Sequence, residues 1–113
     1  MGIRKEQLDP MSIAPIASRE FVATPGAPTD SVLIGDYLVT VDAQAASATM
    51  ELPDATTVAG RTFLIVKTDS SGSLLTVKSA VGGQLIGGQA QRLITGQGSS
   101  VRATSDGTNY WLG

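Results

Sequence analysis

The side chains that most often do chemistry are thinly represented in this chain. Histidine is absent, which removes the group that titrates nearest neutrality and the commonest metal ligand. Cysteine is absent as well, so there is no thiolate nucleophile, no disulfide framework and no sulfur-ligated metal. The Ser-His and Cys-His dyads of nucleophilic catalysis cannot be assembled. A carboxylate pair of the kind that cleaves glycosidic bonds would have to come from Glu6, Asp9, Glu20, Asp30, Asp36, Asp42, Glu51, Asp54, Asp69 and Asp106. Most of these stand in or beside turns. Asp54 follows Pro53, Asp69 precedes Ser70-Ser71-Gly72, and Asp106 precedes Gly107. Asp in such places hydrogen-bonds its own backbone. No EF-hand-like loop is present for calcium. A phosphate-cradling loop needs a Gly-Lys pair that the chain lacks, and Gly96-x-Gly98 has neither the third glycine nor the helix of a dinucleotide fingerprint. Thr56, Thr57, Ser70, Ser71, Ser99, Ser100 and Thr104 have no base to activate them and read as strand and turn residues. The expectation is a non-enzymatic chain with no catalytic residue, no cofactor and no metal.

Contact chemistry is better supplied. Tyr37, Tyr110 and Trp111 are candidate interface or glycan contacts, since an aromatic ring stacks on a sugar as well as on a partner's surface. Tyr110 and Trp111 are adjacent, so a strand there sends one side chain to the core and the other to a rim. Aromatics make up only 4% of the chain and charged residues only 16%, against about 25% charged in a typical soluble domain. Little electrostatic repulsion keeps neighbours apart. The net charge is −2. The basic residues Arg4, Lys5, Arg19, Arg61, Lys67, Lys78, Arg92 and Arg102 are scattered, which argues against the basic stripe that nucleic acid requires. No apolar run approaches the ~20 residues of a membrane span. The first ten residues are polar where a signal peptide would be apolar. No nucleic-acid or membrane partner is expected, and synthesis in the cytoplasm is.

Two regions must position these residues. Residues 1–31 read as an extended, Pro-rich N-terminal arm, with Pro10, Pro15, Pro25 and Pro28 leaving room for one short helical turn over residues 3–8 at most. Apolar side chains punctuate it at Ile3, Leu8, Met11, Ile13, Ile16, Phe21 and Val22, more than a disordered linker carries. Ile3, Leu8, Met11, Ile13, Ile16 and Phe21 are the candidate partner-binding residues of the arm. Residues 32–113 read as a β-domain. Short strands are predicted over 32–34, 37–41, 48–52, 62–68, 74–79, 84–86, 92–95, 101–105 and 110–112, several with period-two alternation. Turn signals separate them, the clearest being Asp106-Gly107-Thr108-Asn109. Phe63-Leu64-Ile65-Val66 is apolar throughout, as a strand covered on both faces would be. The pattern predicts an all-β fold, a small sandwich or barrel of short antiparallel strands. The echo of Gly82-Gly83-Gln84-Leu85-Ile86 in Gly87-Gly88-Gln89-Ala90-Gln91 is too short for a solenoid and reads as two glycine turns about one short strand.

From Glu51 onward the order of motifs is distinctive. It runs Leu52-Pro53-Asp54, then Gly60 before Phe63-Leu64-Ile65-Val66-Lys67, then Leu75-Thr76-Val77-Lys78, then Gly83-Gln84-Leu85-Ile86-Gly87-Gly88, and closes on Ser105-Asp106-Gly107-Thr108-Asn109-Tyr110-Trp111. This half of the chain resembles the β-rich domains of tailed-bacteriophage virion proteins, found in head decorations, head fibres, tail fibres and spikes. The resemblance implies a structural virion component, assembled in the host cytoplasm and commonly a homotrimer, and it carries over no catalytic residues. A trimer would also explain how a domain poor in aromatics is stable, because subunit contact adds buried apolar area. Two roles follow. The chain is expected to be a capsid decoration, or cement, protein whose arm grips the major capsid protein. The alternative is a tail-fibre or baseplate protein that attaches to a tail component and contacts a host glycan. A small carbohydrate-binding or hydrolytic module is the reading from another class, with no acid pair to recommend it.

Overall fold

The computed structural model describes residues 18–113. The arm residues Ile3, Leu8, Met11, Ile13 and Ile16 lie outside the described residues. Strands form where side chains alternate between the interior and the surface: β1 Ser18–Val22, β2 Thr29–Ser31, β3 Leu38–Asp42, β4 Ala48–Leu52, β5 Thr62–Lys67, β6 Leu75–Ser79, β7 Gln91–Ile94, β8 Ser100–Ser105 and β9 Tyr110–Leu112. A 3-10 turn, Ala55–Thr57, follows β4. The fold is all-β, two sheets packed face to face, as the sequence predicts. One sheet has the order β1-β3-β5-β8-β9 and the other β2-β4-β6-β7.

The strand directions depart from expectation. Short antiparallel strands are predicted, yet β1, β3 and β5 run parallel, and so do β2, β4 and β6. The chain lays one strand in the first sheet, crosses to lay one in the second, and returns beside its starting point. Three such coils stack as a flattened solenoid. Ser18 stands beside Leu38 and Thr29 beside Thr49, an identical step in the two sheets. The next step is longer because the Pro53-Asp54 turn and the 3-10 turn lie within that coil. Parallel neighbours need a long crossover, and here the crossover is a strand of the opposite sheet instead of a helix. Only β7, β8 and β9 pair antiparallel, closing the stack.

Several boundaries shift. Among the described residues the β-structure already includes Ser18–Val22, so the 18–31 half of the expected arm supplies a coil, and Phe21 packs against the chain's own core. The strand expected at 32–34 lies at Thr29–Ser31. No strand forms over 84–86, where Ile86 makes isolated bridges to Gln89 and Tyr110. β5 is not covered on both faces: Phe63, Ile65 and Lys67 are buried, while Thr62, Leu64 and Val66 are half-buried on the outer side. The core lies between the sheets and is built from those inner rows, with Val39, Val41, Met50, Leu52, Leu75, Val77 and Ala103 completely enclosed. Phe63 meets Tyr110 edge to face, ring centroids 6.4 Å apart, a preferred aromatic geometry.

The first coil is held by charge at the row where the later coils place Val39 and Ile65. Arg19 shares the face of β1 that carries Phe21. It bridges the sheets to Asp30 at 2.7 Å and reaches Asp36 at 3.0 Å. It also donates to the Ser31 carbonyl at 2.8 Å. Asp36 in turn accepts from the Leu33 amide at 2.8 Å. Partial burial pushes the Asp30 carboxyl up, but the Arg19 guanidinium and the Ser31 amide outweigh it and hold the group below its usual range.

Candidate functional site

A wide concavity among the described residues lies where the antiparallel strands close the sandwich. β9 stops at Leu112, and the Gly113 amide donates to the Arg102 carbonyl at 3.2 Å. β8 continues alongside to Ser100 with its edge uncovered by β9. A groove of about 450 Å³ opens there, lined chiefly by Leu64, Arg92, Ile94, Val101, Arg102 and Leu112. Arg92 stands opposite Val77 and therefore on the inner face of β7. Arg102 stands opposite Leu64 and therefore on the outer face of β8. Arg92 donates to the Gln89 side chain at 2.9 Å. Among the described residues the ion pairs belong to Arg19, Lys67 and Lys78, and neither Arg92 nor Arg102 meets a carboxylate. The edge is also chemically open. Tyr110 N–H points away from β8 to the Leu85 carbonyl, whereas Gly113 N–H points toward β8. Strand alternation thus turns the Leu112 amide and carbonyl outward.

The expected aromatic trio does not form one site. Tyr110 is completely buried, and its hydroxyl donates to the Pro53 carbonyl at 2.6 Å. Burial, reinforced by the nearby Asp54 charge, pushes this phenol up to about 12. It is a core residue and not a surface contact. Tyr37 is half-buried at the entry to β3, separated from β9 by β5 and β8. Trp111 alone is presented, 53% exposed. The two neighbours are split between core and rim, as strand alternation predicts. The Asp106–Asn109 turn aims the indole: Asp106 accepts from Thr108 and Asn109 amides at 2.8 Å each and from Trp111 Nε1 at 2.6 Å. Beside it on the same outer face, the hydroxyls of Thr62 and Thr104 hydrogen-bond each other at 2.8 Å.

The turn aspartates are engaged by backbone, as their sequence context predicts. Asp54 caps the 3-10 turn by accepting from Thr56 N and also accepts from Gln84 at 2.7 Å. Hydrogen bonds hold Asp54 and Asp106 below the usual carboxylate range. Neither is suited to donate a proton near neutrality. Asp69 does more than a turn requires. Lys67 lies on the inner row of β5, fully enclosed, and its ammonium meets Asp69 at 2.8 Å. The same carboxylate accepts from Ala43 N at 2.7 Å, from Ser71 N at 3.1 Å and from the Ser71 hydroxyl. Burial pushes Asp69 up, but Lys67, Ser71 and the amides together override it and drive the group far below its usual range. The buried ion pair and the arginine groove are absent from the sequence-level expectations. Parity is the signal that points to both: Lys67 follows Phe63 and Ile65 at spacing two, and Arg92 precedes Ile94 by two.

No cluster of three His, Cys, Asp or Glu side chains able to hold a metal occurs among the described residues. No helix among them is long and apolar enough to cross a membrane. No protein-family model matches the chain, and a search of curated proteins finds no relative of it.

Proposed function

We propose that this chain is a non-enzymatic structural component of a bacteriophage virion, a capsid decoration protein that trimerises through its β-domain and grips the major capsid protein through its N-terminal residues. One observation carries the contact-making part of this reading. Val22, Leu33, Ile34, Leu93 and Trp111 are each more than half exposed on a chain of which only 16% is charged. Single exposed apolar side chains are ordinary. Five large ones with so little charge between them suit a molecule that works in contact with others. The motif order from Leu52 to Trp111 supplies the link to phage virions. Deleting residues 1–17 removes none of the described strands. The truncated protein should keep its oligomeric mass in light scattering and lose attachment to purified shells. Undiminished shell binding by that protein would refute the role of the arm.

The second reading, a tail-fibre or baseplate protein that contacts a host glycan, is favoured by Trp111. Its ring is aimed outward by Asp106, with the Thr62 and Thr104 hydroxyls alongside. Binding on a glycan array that disappears in Trp111→Ala would favour the tail over the shell. Imaging of the particle, with the chain on the head or on the tail, decides between the two.

A further inference from the structure

We propose that the outer face of the five-stranded sheet is the surface through which three copies of this chain associate. This rests on the self-association proposed above and gives it a face and an axis. The observation behind it lies in β5. Phe63-Leu64-Ile65-Val66 is apolar throughout, the pattern of a strand covered on both faces. Within one chain only the side of Phe63 and Ile65 is buried, and Leu64 and Val66 stand half-buried on the outer side. On the neighbouring strand β3 they meet Leu38 and Thr40 in the same rows. The middle of this face therefore carries no charge. The outer face of the other sheet is built differently. Its central strands β4 and β6 set Glu51 beside Lys78, an ion pair partly open to solvent. Of the two faces, the first is the one that gains from being covered.

Charge sits at the flanks of this face, and it is complementary. Glu20 projects from the outer side of β1 and Arg102 from that of β8, both exposed. Among the described residues Glu20 meets no cation and Arg102 no carboxylate. Three strand steps separate β1 from β8, about 14 Å at ~4.8 Å each, so the two are too far apart to pair within one chain. Three copies turned about an axis parallel to the strands keep every row at its own height. β5, the middle strand of five, then faces the axis and brings Leu64 and Val66 of the copies together. The β1 flank of one copy meets the β8–β9 flank of the next. Glu20 lies in the row of Thr40 and Val66, and Arg102 in the adjacent row of Leu38 and Leu64. Adjacent rows are about 6.6 Å apart along the strands, a gap that the long arginine stem covers. Each junction receives one such pair, which fixes which flank meets which, and the head-to-tail contacts close into a ring.

Light scattering and sedimentation of the full chain test the idea. The unaltered protein should have three times the 11.6 kDa mass of one chain. Leu64→Lys places an ammonium group from every copy at the axis and should leave monomers. Its far-ultraviolet circular dichroism should be unchanged, because Leu64 is only half-buried on the outer side. Thr76→Lys, on the outer face of the other sheet, should keep the full mass. E20R and R102E should each need about a tenfold higher concentration to assemble, and E20R/R102E should return to the unaltered value. Crosslinking gives a reading that needs no variant to lose assembly. The chain has no cysteine, so a short bismaleimide should join copies through Val66→Cys and not through Thr76→Cys. If Leu64→Lys keeps the full mass, or Thr76→Cys crosslinks in place of Val66→Cys, the face assignment is wrong while self-association stands. If the double exchange fails to restore assembly, or the oligomer holds two chains, the three-fold arrangement is overturned. An unaltered chain that is monomeric at every concentration overturns both this inference and the self-association on which it rests.

Discussion

Replacing Asp69 with Asn leaves the Lys67 ammonium enclosed in the sandwich without its counter-charge. Lys67 is 0% exposed, so water cannot take over the role. The amide oxygen of Asn can keep the Ala43 bond, but the oxygen that accepts from Lys67, from Ser71 N and from the Ser71 hydroxyl is lost or becomes a donor. Breaking a buried pair by removing one partner costs about 3–5 kcal/mol, a large fraction of the ~5–15 kcal/mol that holds a domain together. At about 4 °C per kcal/mol for a domain of this size, the melting temperature should fall by roughly 12–20 °C. Urea unfolding followed by far-ultraviolet circular dichroism reads the same loss as a lower midpoint at unchanged slope. The double variant K67M/D69N removes the charge as well as its partner and should recover most of the loss. A cost below about 1 kcal/mol for D69N, or a double variant as unstable as the two single changes added together, would refute the account. The acid limb of the stability profile gives an independent reading. The folded carboxyl is held far below the unfolded value of about 3.9, so the unfolded chain takes up the proton first as pH falls. The stabilisation from Asp69 is whole above that unfolded value and is lost progressively as pH falls below it toward the folded one. D69N should flatten that limb.

Other outcomes follow from the same geometry. Tyr110→Phe deletes the 2.6 Å bond to Pro53 and should cost about 1–2 kcal/mol in urea titration. In the unaltered protein, ultraviolet titration should show a phenol that ionises only near pH 12. Because the unfolded phenol ionises near 10, the stability it contributes is whole below pH 10 and falls between there and about 12. Gly87 has φ +60° and a Cβ there would stand 2.9 Å from the Leu112 side chain, so Gly87→Ala should lower stability by about 1–2 kcal/mol. Arg19→Gln should speed amide exchange in β1, β2 and at Leu33, with much smaller changes in β5 and β8, measured by hydrogen exchange.

The elements most legible in sequence were those whose alternation is sharpest. Leu75-Thr76-Val77-Lys78 and Val101-Arg102-Ala103-Thr104 fall in β6 and β8, and Asp106-Gly107 turns the chain into β9. Strand direction was not legible, because a half-buried strand alternates identically whether its neighbour runs with it or against it. The coils were hidden for the same reason. They repeat in space and in burial but not in residue type: Arg19, Val39 and Ile65 share one row with no common side chain. Pro25 and Pro28 made the 18–31 stretch read as an arm. Both lie in the loop between β1 and β2, where a proline interrupts nothing. Of the candidate contacts, Trp111 is exposed as its position at a hairpin rim predicts, while Tyr110 is drawn inward by its place opposite Ser105 on the inner row. The arginine groove depends on β7 of one sheet meeting β8 of the other, a tertiary fact that no local pattern carries.

The charged clasp of Arg19 sets a limit on growth. A solenoid of this cross-section could in principle lengthen by accepting another turn of chain beside β1 and β2, copy upon copy, into a filament. Any layer placed over β1 and β2 would have to strip water from Arg19, Asp30 and Asp36, which are still a tenth to a third open to solvent in their side chains and would offer no hydrocarbon in return. Axial stacking is thereby disfavoured, and copies that associate are steered to lateral contacts, which can close after a few subunits. A sequence that replaced this trio with aliphatic residues would gain a sticky terminus and should tend toward fibres.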